Sequence, residues 1–248
     1  MKRKLLFGLS VLLCFYTMAF GMKPEQIIWG EETLTCTEDI VSYQDATDVT
    51  EEEQNCLQVL YALDIMQGDG NQMFRPHDTI TRAEMAKILV AVQNLPVIEF
   101  AESGFSDVSQ SHWAKNAIAM VNSQGIMIGE GGGVFAPDRN LTLEELCKVV
   151  TVVLGYLPMA ETTGGYPDGY VHAVNKYIIQ DKMDFSCDKN TPVTRLDTAK
   201  IMYYVLQAPL MEQTTFGAPE HAEYAILDGS QGTEFVNLLS RNFLIPCK

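Results

Sequence analysis

Apolar side chains recur at helical spacing in three places along this chain, and the same kind of polar signal stands just before each. Met85, Ile88, Leu89 and Val92 form one stripe; Leu146, Val149, Val150 and Val153 a second; Ala199, Met202, Tyr203 and Leu206 a third. Steps of three and four residues keep such side chains on one face of a helix. Ahead of the stripes stand Thr81 with Glu84, Thr142 with Glu145, and Thr194 with Asp197. In the first two pairs the hydroxyl can accept from an orphan amide of the first turn while the glutamate reaches back to the threonine amide. Asp197 is shorter and is expected to cap less well. Trp113, Ala117, Met120 and Val121 predict another helix, stopped by Gly125.

These signals belong to a repeat. Ile65-Met66-Gln67-Gly68, Phe74-Arg75-Pro76 and Thr81-Arg82-Ala83-Glu84 return 61 residues later as Ile126-Met127-Ile128-Gly129, Phe135-Ala136-Pro137 and Thr142-Leu143-Glu144-Glu145. A looser third copy starts at Tyr166-Pro167-Asp168, matching Phe105-Ser106-Asp107 and Tyr43-Gln44-Asp45, and ends in Thr194-Arg195-Leu196-Asp197. Within a copy, the stretch from Gly129 to Gly133 carries too little side chain for a helix and reads as a loop. Phe135 then pins that loop to the core and Pro137 ends it. Each copy is helix, loop, helix. Two helices of about 12 residues are marginal by themselves, so the copies must stack to bury a core. The fold expected is all-α, with three helix-loop-helix repeats side by side and grooves between neighbours. The boundaries read as 1–21, a signal peptide; 22–40, a linker; 41–98, 99–158 and 159–208, the three repeats, the last divergent; and 209–248, a tail. Short links, Asn94 to Ser103 and Gly155 to Gly165, join the repeats.

The first segment changes the charge. Lys2-Arg3-Lys4, an apolar run from Leu5 to Met18 and a small-residue close at Ala19-Phe20-Gly21 have the three parts of a secretory signal, too short for a spanning helix. Bulky Leu13 before Cys14 speaks against a lipoprotein. Cleavage after Gly21 leaves 14 Lys and Arg against 32 Asp and Glu, a balance of -18. A surface this acidic repels nucleic acid and anionic membranes, so an anionic ligand would have to be held by a few local cations. Five cysteines then remain. Cys56 and Cys147 occupy small helix positions in the repeat register and are expected as buried thiols; Cys36, Cys187 and Cys247 lie in loops or tails.

The ordered set of aromatic-x-Asp-Val, His-Trp-Ala, Gly-Ile-Met-x-Gly, Phe-x-Pro and Thr-Arg-Ala-Glu resembles the S-layer homology family over about residues 41–208. That resemblance implies a pseudo-threefold bundle of three repeats that anchors exported proteins non-covalently to the bacterial envelope. The partner it implies is a secondary cell-wall polysaccharide or peptidoglycan-linked polymer, often carrying pyruvate ketals, held between adjacent repeats. The residues support an acidic ligand on separate grounds. Arg82 and Arg195 each follow a capping threonine, so a guanidinium stands at a helix start whose amides favour an anion, and an arginine can hold a carboxylate bidentately. Trp113, beside His112, is a candidate for stacking on a sugar. Asp107 and Glu84 complete the candidate glycan-binding set. Simpler roles compete: Trp113 in the core, Asp107 as a helix-start cap, Glu84 as a capping-box member, Arg82 in a surface salt bridge. Leu143 replaces the arginine in the second copy, Glu52 stands where the first copy would have the tryptophan, and the third offers Tyr170. Unequal grooves are therefore expected, with those using Arg82 and Arg195 active.

Other functions find less support. Asp69-Gly70-Asn71 begins like a calcium loop, but Met73 stands at the next ligand position and no glutamate follows at the required spacing. Neither His112 nor His172 has metal-ligand spacing to Cys or carboxylates. No Gly-x-Ser-x-Gly, His-Glu-x-x-His or phosphate-cradling glycine loop is present, so no catalytic residue, metal or cofactor is assigned. Residues 224–228 and 235–239 could begin another folded unit or pack on the repeats as a strap.

Overall fold

The computed structural model describes residues 41–96, 98–100, 102–180, 182, 190–215, 222–230 and 233–243, with the backbone of 26–29 and 32–35. The expected signal peptide, Cys14, Cys36, Cys187 and Cys247 lie outside the described residues. The fold is mostly helical, as expected, with two short antiparallel hairpins added. No helix among the described residues is long and apolar enough to cross a membrane. The chain divides into two compact units, residues 1–74 and 75–248.

In the first unit, β1 (Gln26–Trp29) pairs with β2 (Glu32–Thr35), and α1 (Glu51–Ala62) follows. Thr50 and Glu53 form a full capping box at its start: the hydroxyl accepts the Glu53 N–H (3.2 Å) and the carboxylate accepts the Thr50 N–H (2.9 Å). Cys56, Leu57, Val59 and Leu60 are buried, with Ile65, Met66 and Phe74. The repeat motif makes a local staple here. Asp45 accepts the Phe74 N–H (2.8 Å), the Tyr43 and Phe74 rings lie 5.1 Å apart, and the Tyr43 hydroxyl accepts the Gly68 N–H (3.1 Å). A Cβ on Gly68 would stand 2.5 Å from the Tyr43 ring, so the glycine of this motif is required by contact. The Asp69 carboxylate is committed to its own loop, accepting from Asn71 and Met73 amides.

The second unit contains α2 (Arg82–Val92), α3 (Lys115–Ser123), α4 (Leu143–Val153), α5 (Leu157–Thr162), α6 (Asp168–Ala173) and α7 (Arg195–Gln207). The second helix of one copy packs against the first helix of the next, α2 on α3 and α4 on α6. All four members of the first and third stripes are buried; in the second, Val153 is only half-buried and Leu154 takes its place in the core. Cys147 is buried as a thiol, as Cys56 is in its own unit. One expectation changes. Trp113 does not begin the inward face of α3: it precedes the helix and is 61% exposed, while Ala114, Ile118 and Val121 face the core. The link from Gly155 to Gly165 carries α5 in its middle. In the third copy α6 runs into a π-helical turn, Val174–Ile179, closed by Gln180 in the left-handed region.

What holds the second unit together is a ring of backbone bonds among the segments that precede α2, α4 and α7. The Ile80 N–H donates to the Val193 carbonyl (3.1 Å), Val193 to Leu141 (3.0 Å) and Leu141 back to Ile80 (2.9 Å). Two residues along, a second cycle runs from Arg82 to Arg139 (3.0 Å), Leu143 to Thr191 (3.0 Å) and Arg195 to Asp78 (2.8 Å). Ile80, Leu141 and Val193 are buried at its centre. Two such segments would leave a buried amide and carbonyl without partners, which is costly. The third segment closes the cycle.

The tail folds onto this unit. β3 (Met211–Gln213) pairs with β4 (Tyr224–Ile226), and α8 (Leu238–Asn242) packs on α7. Helix ends leave carbonyls unsatisfied, and the tail supplies donors to two of them. The Asn242 side chain donates to the Val92 carbonyl (3.2 Å) at the end of α2, and the Met211 N–H to the Leu154 carbonyl (2.9 Å) at the end of α4. Gly155, at φ +84°, is the only residue type that fits beside the Met211 carbonyl there. Leu210, Met211, Leu238 and Leu239 of this strap are buried.

Candidate functional site

The second cycle of the ring sets the arginines. Because the Arg82 amide is bonded to the Arg139 carbonyl, the Arg82 side chain leaves the first turn of α2 directly against the loop of the next copy. Its Nε donates to the Phe135 carbonyl (2.9 Å), its Nη2 to the Ile128 carbonyl (2.8 Å), and its Nη1 lies 3.4 Å from Glu145 Oε1. The guanidinium also covers the Phe135 ring, 4.6 Å from its centroid. Its side chain is 7% exposed. Burial pushes the guanidinium below its ordinary pKa, opposed chiefly by Glu145. Arg82 thus lies at a junction between copies but is enclosed there, in place of the surface salt bridge that the sequence left open.

The same relation recurs elsewhere in the ring. Arg195 Nη1 lies 3.5 Å from Glu84 Oε1, with the Arg195 side chain 15% exposed. Glu84 therefore has two roles. It accepts the Thr81 N–H (2.8 Å) as a capping-box member and faces Arg195. Glu145 likewise accepts the Thr142 N–H (3.0 Å) and pairs with Arg82. Each capping glutamate faces the arginine of the copy whose helix start abuts it. At the remaining junction both members differ. Leu143 is buried, and Asp197 turns to its own cap, accepting from the Thr194 hydroxyl (2.7 Å) while its amide donates to that hydroxyl (3.1 Å).

Sequence reasoning missed Arg139, which sits where the first copy has Asp78. Its Nη1 and Nη2 hold Glu145 from both oxygens (3.1 and 2.5 Å), and its Nε holds Glu130 (2.5 Å). It is 38% exposed, the more open of the two arginines in this groove. Glu145 and then Glu130 raise its pKa, against the opposing effect of burial. For Glu145, burial acts upward, but the Arg139 hydrogen bond, the Thr142 amide and both guanidiniums prevail and hold it below the ordinary carboxylate range. The change of sign at position 139 within an otherwise matched repeat was the available signal.

Asp107 is neither a helix-start cap nor part of the buried cluster. Its two oxygens accept the Phe135 (2.9 Å) and Ala136 (2.7 Å) amides, which holds Ala136 at φ +57°. With the Phe105 and Phe135 rings 5.2 Å apart, this repeats the Asp45 staple. Desolvation acts upward on Asp107, but the backbone amides and Arg82 bring its pKa below the ordinary value. A depressed pKa stabilises the fold above the unfolded value of 3.8 and is lost as pH falls through the folded value. Asp107→Asn is therefore expected to cost less than about 1 kcal/mol near neutral pH, because solvent screens this exposed carboxylate. The gap to the parent should close below pH 3.8 in denaturant titrations run across acid. A gap independent of pH would refute the assignment. Trp113 stacks on His112, with centroids 5.7 Å apart, and stands open to solvent. Tyr170, its third-copy counterpart, is buried and bonded to Glu161.

The staple and the capping glutamate recur in the first two copies, and most of the residues that form them lie in segments that match a known domain. Residues 47–86 and 104–147 match the S-layer homology domain. The Asp107 staple, Trp113, Arg82, Glu84, Arg139 and Glu145 all fall inside the S-layer homology segments; Arg195 and the third copy lie beyond them. The chain is similar to the middle cell wall protein of Brevibacillus brevis, at 27% identity over 64% of this chain and 15% of that one. It is 29% identical to the surface-layer 125 kDa protein of Lysinibacillus sphaericus, over 60% of this chain and 13% of that one. An amylopullulanase of Thermoanaerobacterium thermosulfurigenes matches at 33% over 39% of this chain and 5% of its own. The chain thus spans about a seventh of the first of these relatives and less of the others. The location expected from the sequence, exported and associated with the cell wall or surface layer, agrees with these matches.

Proposed function

We propose that this chain is a non-enzymatic anchoring module whose repeats form a pseudo-threefold bundle and hold an anionic secondary cell-wall polysaccharide in the grooves between them. S-layer homology domains anchor surface proteins to the cell wall, and this match is the observation that carries the reading. The closed ring supports the bundle, because its two cycles bring one segment from each copy together. The mixture of relatives supports a non-enzymatic role: what a surface-layer protein and an amylopullulanase share with this chain is a small part of each.

Within the proposed grooves the local cations are few, as an acidic chain requires. Arg82 and Arg139 border one groove and Arg195 another, whereas Leu143 removes the cation from the third junction. The exposed Trp113 offers a sugar-stacking face. Pyruvate ketals fit as ligand groups because each presents a carboxylate on a ring. The test is a pull-down of the chain with purified cell-wall sacculi before and after chemical removal of secondary polymers. Binding before and not after is the expected result; equal retention on both would remove the polysaccharide from the reading.

A further inference from the structure

Resting on that reading, we propose that Glu130 is a built-in counter-ion occupying a carboxylate-binding position on Arg139, and that a sugar-borne carboxylate enters the first groove by displacing it. Arg82 is then a positioning residue in that groove. All three of its nitrogens are engaged by Phe135, Ile128 and Glu145, and the Phe135 ring closes one face. A ligand could gain that guanidinium only by breaking buried bonds, which costs more than an exposed pair returns.

Arg139 differs in what holds each edge. Glu145 holds Nη1 and Nη2 and is itself tied to the Thr142 amide and to Arg82, so it stays in place. Among the described residues the Nε edge carries a single Glu130 oxygen, from a side chain 39% exposed. Pairs this open contribute about 0–1 kcal/mol. Glu130 stands at the start of a tight turn, its N–H donating to the Val134 carbonyl (2.8 Å), followed by Gly131, Gly132 and Gly133 at φ +99°, +61° and +78°. A Cβ added at any of these three would meet nothing within 4 Å, so the turn borders open space. An incoming carboxylate can take Nε together with Nη2 in the planar, two-bond geometry that guanidinium favours and that Glu130 does not use. In the repeat register the other copies have Asp78 and Thr191 at this position, so the arrangement belongs to one groove and makes that groove selective for carboxylate.

The experiment measures binding of a methyl hexoside bearing a pyruvate ketal, and of its uncharged methyl ester, to the full chain by isothermal titration calorimetry. Glu130→Gln is expected to tighten the ketal about threefold or more without affecting the ester. Arg139→Gln should abolish ketal binding, and Arg139→Lys should recover little of it. Thermal midpoints within a few degrees of the parent show that these surface variants are folded. Unchanged or weaker affinity in Glu130→Gln, parental affinity in Arg139→Gln, or no heat from either parent or Glu130→Gln overturns the proposal. The sacculus pull-down separates the two failures. A parent that is retained by sacculi while Arg139→Gln still binds the ketal sinks only the counter-ion assignment; a parent that sacculi do not retain sinks the anchoring reading as well.

Discussion

Arg82→Ala is expected to destabilise the 75–248 unit by about 3 kcal/mol, a loss typical of breaking a buried charge network. The variant strips hydrogen bonds from the carbonyls of Phe135 and Ile128 and removes one cation facing Glu145. It also empties the space above the Phe135 ring, which is fully buried. Arg82→Lys should restore little, because one ammonium cannot reach both carbonyls and the carboxylate in the planar fork that they occupy. Urea denaturation of the two variants beside the parent measures this directly. A loss below about 1 kcal/mol would mean that the site relaxes and that the arginine is not structural. The consequence is practical. A loss of wall binding in Arg82→Ala would report unfolding, whereas Arg139 and Glu130 can be changed without entering the core.

The second large effect lies at the junction that lacks the pair. Leu143 is 4% exposed, and the ring places it relative to Asp197 as Arg82 is placed relative to Glu145. Leu143→Arg is expected to cost about 3 kcal/mol, because the guanidinium enters a buried position where, among the described residues, the facing Asp197 is turned to its own cap. Asp197→Glu alone should change stability little. Together the two should recover about 1–2 kcal/mol of the loss, a coupling of the size that contacting charges show. A denaturant double-mutant cycle reads the coupling. A value under about 0.5 kcal/mol would show that positions 143 and 197 do not face one another. On this account the two departures that the sequence displays separately, Leu for Arg and Asp for Glu, are one event at one contact.

Much of the local structure was legible because it depends on neighbours along the chain. The stripes behind Thr81, Thr142 and Thr194 became α2, α4 and α7, and the glutamates took their capping positions, since helix periodicity and end capping are decided within a few residues. The glycine loop and its aromatic anchor were legible for the same reason. Trp113 was harder. Its helix begins two residues later than the apolar spacing suggested, and the inward face falls on Ala114 and Ile118 instead. The role of Asp107 was likewise hidden, because the amides it holds are 28 and 29 residues away. Arg139 went unnoticed because its partners, Glu130 and Glu145, are brought beside it only when the loop closes on the start of α4.

By itself, then, the amino-acid order determined the helices, their caps, the repeat register and the acidic balance, all of which arise from short-range geometry or from simple addition of charge. Only the tertiary structure decided which cation faces solvent and which is enclosed. Two arginines at neighbouring positions of a groove have the same chemistry in a sequence. Their difference arises when the backbone ring fixes one against two carbonyls and a ring face, and leaves the other at the rim with a carboxylate that water can reach.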